Sequence, residues 1–115
     1  MKLWNRIDHL RKLTAVAGWD AEGADPIPQA DWDRVEGCLD EVNHRVPGAP
    51  YPYVTPSEDG MIWCKWADGT HTLEVEAEGT DMHWALRRDG KLLQGGTTSA
   101  QVIVDKIVKI WGEYP

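Results

Sequence analysis

The spacing of apolar residues in the first half of the chain predicts two helices. Between Leu3 and Ala17 apolar residues recur every three to four positions, which predicts a helix that ends near Gly18. A second stripe of the same period extends to Val46. Pro28 suits the first turn of this second helix, because the N–H that proline lacks would have no partner there.

Alternation of apolar and polar residues predicts an antiparallel sheet in the second half. The dipeptides Asp68-Gly69, Gly79-Thr80 and Asp89-Gly90 are typical hairpin turns. They separate four predicted strands, and the last strand contains Leu93. The residues that share the predicted core face are Ile62, Cys64, Trp66, Leu73, Val75, Trp84 and Leu86.

Two-residue turns fix the predicted register of the sheet. The first turn places Trp66 opposite His71 and Ile62 opposite Val75, and the second places Val75 opposite Trp84. Both turns give the same core face, and a slip of one residue would reverse every side chain. The opposite face collects Trp63, Lys65, Thr72, Glu74, Glu76, His83 and Arg87.

The remaining segments complete the predicted fold. Residues 47–60 hold four of the seven prolines and predict an extended connection whose tyrosines lie on the body of the protein. Thr98 and Gln101 have the spacing of a capping box, which predicts a C-terminal helix. Gly37 weakens the second helix, and close packing against a neighbour would explain its presence. We predict one α+β domain, residues 1–115, with the order α-α-β-β-β-β-α and the helices on one face of the sheet.

Negative charge is concentrated in one stretch, residues 20–41, which we name the acidic segment. It carries eight acids and a single base, Arg34, and so its net charge equals the −7 of the whole chain. This balance argues against a protein that binds nucleic acid by neutralising phosphates. The acids are Asp20, Glu22, Asp25, Asp31, Asp33, Glu36, Asp40 and Glu41.

Two interpretations of the acidic segment stay open. It can be a solvated helix face whose acidic first turn suits the helix dipole. It can also be a surface for a basic partner, since an acidic patch accelerates encounter with a positive surface and disfavours wrong partners. Proteins that handle nucleic acid carry such positive surfaces. An acidic domain could cover one by occupying places meant for phosphate.

The loop of residues 18–28, with sequence GWDAEGADPIP, is the strongest candidate for a metal or small-molecule site. Hard cations prefer carboxylate and carbonyl oxygens, which Asp20, Glu22 and Asp25 could supply. However, the glycine comes too early for a calcium loop, and Ala24 stands where an oxygen ligand is needed. We therefore expect no bound metal and no cofactor.

The sequence favours a protein that is not an enzyme. The four histidines and two cysteines show no zinc-ligand spacing. Cys38 and Cys64 fall on or beside apolar faces and are expected to be small buried residues. There is no serine-nucleophile or phosphate-loop motif. No apolar run approaches the ~20 residues that span a bilayer, and a charged start is unlike a secretion signal, so we expect a cytoplasmic protein.

Trp63 is the exception on the polar face of the predicted sheet. Tryptophan is favoured at interface hot spots because it offers a large rigid area and one donor. Trp63 is therefore a candidate for partner binding or for a homodimer contact. Alternatively, the first helix or the proline-rich connection covers it.

The chain resembles a family of small uncharacterised proteins from bacteria and mobile elements. The family motif Gly-Trp-Asp-Gly-Tyr-Gly-Ala-x-Pro-Ile is matched by Gly18, Trp19, Asp20, Gly23, Ala24, Pro26 and Ile27. A later pattern is matched by Val54, Pro56, Asp59, Gly60, Ile62 and Trp66, and the strand Leu73–Glu76 also fits. The resemblance covers roughly residues 7–90 and implies an architecture but no established activity.

Two positions depart from the family pattern. Ala21-Glu22 replaces the usual Gly-Tyr, and Lys65 stands where the family usually has Glu. Such proteins are often associated with mobile and defence-related genes, and this association favours an inhibitor or neutraliser.

Together these observations predict a protein-binding module that covers a basic surface of a nucleic-acid-handling partner, as a phage anti-defence inhibitor (like an anti-CRISPR protein) or an antitoxin would. The alternatives are a metal or small-molecule domain that uses loop 18–28, and a homodimeric assembly component.

Overall fold

The computed structural model describes residues 3–112. The chain forms three helices and five strands: α1 (Leu3–Leu13), α2 (Gln29–Arg45), β1 (Tyr53–Pro56), β2 (Ile62–Ala67), β3 (His71–Glu78), β4 (Asp81–Arg88), β5 (Lys91–Thr98) and α3 (Ala100–Trp111). The predicted α+β class is confirmed. Among these described residues, no helix is long and apolar enough to cross a membrane.

The sheet has one strand more than predicted. Its order is β1-β2-β3-β4-β5, and every neighbouring pair is antiparallel. The missed strand, β1, lies in the proline-rich connection and pairs Val54 with Cys64. Prolines argue against a central strand, but an edge strand tolerates them because its outer side needs no N–H donors.

The register between β3 and β4 is as predicted, with Val75 opposite Trp84. The predicted register between β2 and β3 is wrong by two residues, since Trp66 lies opposite Leu73. The cause is Asp68, whose Oδ1 accepts backbone hydrogen bonds from Thr70 at 2.8 Å and from the following residue at 2.6 Å. These bonds hold a longer turn. A shift of two residues leaves each side chain on its predicted face.

The core lies between the sheet and the three helices. Six of the seven residues assigned to the core face are buried, and Trp84 is half-buried under Lys106, whose Nζ lies 5.0 Å from the indole centroid. Ile7 of α1, Val35 of α2 and Ile103 of α3 belong to the same buried cluster. The helices therefore cover one face of the sheet, as predicted.

Two helix ends differ from the predictions. α1 ends at Leu13 rather than near Gly18. The Thr14 backbone oxygen accepts the Ile27 N–H at 2.8 Å, and the Gly18 N–H, which would bond Thr14 O in a continued helix, donates to Ala24 O. At the start of α3 no side chain forms a capping hydrogen bond, so the predicted capping box is wrong. Gln101 donates instead to Asp105, one turn further along the helix.

Candidate functional site

The loop 18–28 is held in shape by its own polar groups. Gly18, with a φ of +71° that favours glycine, donates its N–H to Ala24 O at 2.7 Å. Asp20 Oδ1 accepts the backbone N–H of Glu22 at 2.8 Å and of Ala24 at 3.0 Å. These two hydrogen bonds lower the pKa of Asp20, and the bond from the Glu22 N–H contributes most. The carboxylate of Asp20 therefore serves the fold of the loop.

Apolar packing and backbone hydrogen bonds fasten this loop to the rest of the protein. Ile27 is fully buried in the core, and its N–H donates to Thr14 O. The Trp19 indole closes the loop on itself by donating to Asp25 O at 2.8 Å. The Asp25 N–H donates to Glu58 O at 3.1 Å, which joins the loop to the turn before β2.

Two acids that sequence reasoning missed, Glu58 and Asp59, therefore lie beside the loop. Both are exposed, as are Glu22 and Asp25. Within residues 3–112, no group of three or more His, Cys, Asp or Glu side chains is placed to hold a metal ion. The carboxylates of Glu22 and Asp25 remain an acidic surface with no assigned ligand.

Asp31 does not belong to a partner-binding surface, which corrects its predicted role. The residue is only 6% exposed. Asp31 Oδ1 accepts a hydrogen bond from Arg34 at 2.8 Å, and Oδ2 accepts the Gly79 N–H at 3.2 Å. Asp31 therefore fastens the first turn of α2 to the β3–β4 turn.

Asp33 and Glu36 share a cation that the sequence did not reveal. Arg11, in the last turn of α1, donates Nη1 to Asp33 at 2.8 Å and Nη2 to Glu36 at 2.5 Å. The two carboxylates raise the pKa of Arg11, and the hydrogen bond to Glu36 contributes most. Arg34 is thus not the only base that opposes the acidic segment, and part of the charge of Asp33 and Glu36 is compensated.

Neighbouring bases compensate little of the negative charge of Asp40 and Glu41. The Asp40 side chain has no hydrogen-bond or ion-pair partner among the described residues. Glu41 lies 3.9 Å from Arg45, and Arg45 also lies 3.5 Å from Asp105. At such distances an exposed pair compensates little charge.

Asp40 borders an open depression of about 410 Å³, which we name the acidic cleft. Trp4 of α1 forms one wall, and it is 40% exposed. Gly37 forms part of the lining, and a Cβ placed on it would meet no atom within 4 Å. The prediction that close packing explains Gly37 is therefore wrong. The lining residues are Trp4, Asp33, Glu36, Gly37 and Asp40.

Trp63 lies on the uncovered face of the sheet and is half-buried. Its partial cover comes from the proline-rich connection, where Tyr53 packs edge-on at 5.9 Å between ring centroids. Tyr53 therefore lies on the body of the protein, as predicted, although Tyr53 and Tyr51 both remain largely exposed. Trp63 as a partner or dimer contact stays a prediction.

The two cysteines are buried, as predicted. Burial, with a smaller contribution from Glu41, raises the pKa of Cys38 to about 12. Burial also raises the pKa of Cys64. Neither thiol is a ready nucleophile near neutral pH, because the thiolate is the reactive form.

The chain matches no protein-family model, and searches of curated proteins and solved structures give no significant match. The resemblance seen in the Gly18–Ile27 motif therefore stays a prediction.

Proposed function

We propose that the protein is a non-enzymatic binding module whose acidic cleft receives a cationic side chain from a basic protein partner. The cleft is lined by both the uncompensated carboxylate of Asp40 and the partly exposed indole of Trp4. A cation held over an aromatic ring and near a carboxylate is attracted by both. Arginine suits this arrangement better than lysine, because its planar guanidinium both stacks and forms forked hydrogen bonds.

The observation that carries this proposal is Gly37. A glycine in the interior of a helix costs roughly 1 kcal/mol relative to alanine. Elsewhere such a cost can be explained by close packing, but a side chain at position 37 would meet only open space. The absence of a side chain there keeps the lining of the cleft clear between Asp33 and Asp40.

Arg11 shows how this row of carboxylates can bind a guanidinium. Its two terminal nitrogens reach Asp33 and Glu36, which lie on successive turns of α2. Asp40 lies one turn beyond Glu36, on the same side of the helix. A partner arginine could therefore continue the row that Arg11 begins.

The charge of the whole molecule supports a partner with a positive surface. The net charge of −7 steers a basic protein towards the acidic segment and repels anionic competitors such as nucleic acid. Surfaces that handle nucleic acid are basic. A module that covers one would act as an inhibitor, in the manner of an anti-defence protein or an antitoxin.

The test compares two variants that remove the same charge. Fluorescence polarisation of a fluorescein-labelled hexa-arginine peptide is measured against wild type, Asp40→Asn and Asp81→Asn. Asp81 is exposed, at the start of β4, and does not line the cleft. We expect Asp40→Asn to weaken binding about fivefold, equivalent to roughly 1 kcal/mol, and Asp81→Asn to have little effect. A hexa-lysine peptide should bind less tightly than hexa-arginine.

Equal losses in the two variants would mean that only the total charge matters, and the proposed cleft would then be wrong.

A further inference from the structure

A second cavity, which we name the apolar groove, lies beside the acidic cleft. It has a volume of about 330 Å³ and lies between the start of α1, the second half of α2 and residues 47–52. Its lining carries no charged side chain among the described residues. The main apolar contributors are Leu3, Trp4, Leu39, Val42, Tyr51 and Trp66.

Aromatic side chains at the groove remain in contact with solvent. Tyr51 is 68% exposed and Trp4 is 40% exposed. Exposed aromatic residues beside an apolar depression are typical of interaction surfaces, because they bury a large area when a partner arrives.

The groove wall also contains an unsatisfied hydrogen-bond donor. Trp66 is 1% exposed, and its indole N–H has no partner. In contrast, the indole of Trp32 donates to Thr14 at 3.0 Å and the indole of Trp111 donates to Asp68 at 2.7 Å. Buried donors are normally satisfied, so Trp66 is an exception in the groove wall.

Trp4 links the apolar groove to the acidic cleft, because it lines both. The two cavities lie one after the other along α2, where Gly37 lines the cleft and Asn43 lines the groove. Six helical residues at 1.5 Å each separate these positions by about 9 Å. In an extended peptide about three residues cover that distance.

From this arrangement, and resting on the proposed function, we infer that the partner presents an extended basic–apolar segment. An arginine or lysine enters the acidic cleft, and an apolar side chain two or three residues away fills the apolar groove. Gly37 and Asn43 lie about 9 Å apart along α2, a distance that about three residues of an extended peptide cover, and this spacing favours an extended segment.

The test begins with a random dodecapeptide library displayed on phage and selected on the full chain. We expect the enriched peptides to carry Arg or Lys two or three positions from Leu, Ile, Met or Trp. The most enriched peptide is then synthesised with a fluorescein label, and its dissociation constant is measured for wild type and variants.

The variants separate the groove from its surroundings. Asn43→Tyr places a ring at the groove rim and should weaken binding at least about tenfold. His44→Tyr is the matched control, since His44 is exposed and lines neither cavity, and it should change binding less than about twofold.

The outcomes distinguish the two proposals. Enriched peptides that are basic but lack an apolar residue, with Asn43→Tyr binding as wild type does, would overturn the groove and leave the acidic cleft standing. Enriched peptides that are apolar without a basic residue, with binding unchanged in Asp40→Asn, would overturn the proposed function. No enrichment, or enrichment equal on Asn43→Tyr and wild type, would overturn the inference drawn here.

Discussion

The first turn and the second half of α2 each have an aspartate and a nearby tryptophan, but these residues make different contacts. At the first turn, Asp31 binds Arg34 and the Gly79 N–H, and the neighbouring Trp32 donates to Thr14. In the second half, Asp40 has no partner among the described residues, and the Trp66 indole beside this half is unsatisfied. The first turn is closed by contacts within the protein, whereas the second half is open.

This difference shows that counting acids does not locate a binding surface. Asp31 and Asp40 contribute equally to the net charge, yet one is buried in a structural role and one faces a cleft. A carboxylate whose hydrogen bonds are satisfied internally offers little to a partner. Substitutions at the closed end should therefore change stability, and substitutions at the open end should change binding.

The largest expected effect on stability is at Trp32, the buried tryptophan in the first turn of α2. Trp32→Phe removes the hydrogen bond to Thr14 and leaves a void, which should cost about 3 kcal/mol of the free energy of unfolding. Trp66→Phe leaves a similar void but also removes an unpaired buried N–H, so it should cost only about 1 kcal/mol. Urea denaturation of both variants measures the difference. Equal losses would show that the Trp66 indole is not strained by a missing acceptor.

The next effect is at Asp31. Asp31→Ala leaves the Gly79 N–H and the Arg34 side chain without their acceptor and should lower the free energy of unfolding by about 2 kcal/mol. Asp33→Ala is the control, because the Asp33 side chain is 70% exposed and its ion pair with Arg11 should be worth less than about 1 kcal/mol. A similar loss in both variants would remove the distinction between structural and surface acids.

A smaller change of opposite sign is expected at Gly37. Gly37→Ala should raise the free energy of unfolding by about 0.5–1 kcal/mol, since alanine favours the helix and its Cβ meets no atom within 4 Å. Thermal denaturation checks this result. A loss of stability would mean that Gly37 has a packing role after all.

The smallest effect concerns pH and the loop before α2. The pKa of Asp20 is lowered in the folded protein, so its contribution to stability is present above the ordinary value of 3.8 and is lost as pH falls through the lower, folded pKa. We expect the loop bonds to weaken only below about pH 4. The NMR signal of the Trp19 indole N–H, followed in wild type and Asp20→Asn, reports this change. A wild-type signal that titrates near pH 6 would contradict the assignment.

The sequence predicted which side chains face the core better than it predicted where strands pair. Alternation assigned the faces of β2, β3 and β4, and a two-residue turn gave the register around Gly79-Thr80. The same two-residue turn gave the wrong register at Asp68-Gly69, because the Asp68 carboxylate holds a longer turn. The sequence analysis also missed β1, since proline content does not distinguish an edge strand from an irregular connection.

The candidate site was less predictable, because it depends on contacts between distant residues. Residue spacing could not show that Arg11 of α1 reaches Glu36 of α2, or that Gly79 lies beside Asp31. One signal was available in advance: Gly37 breaks the helix preference of α2 without an evident local reason. The structure adds that a side chain at position 37 would meet only open space.

The most direct test of the account is the binding of the hexa-arginine peptide to Gly37→Gln. Glutamine favours a helix nearly as well as alanine and places a neutral side chain in the lining of the acidic cleft. We expect a protein more stable than wild type that binds the peptide at least about fivefold more weakly. A variant that is stabilised and still binds as tightly as wild type would contradict the claim that Gly37 keeps the cleft open for a cationic partner.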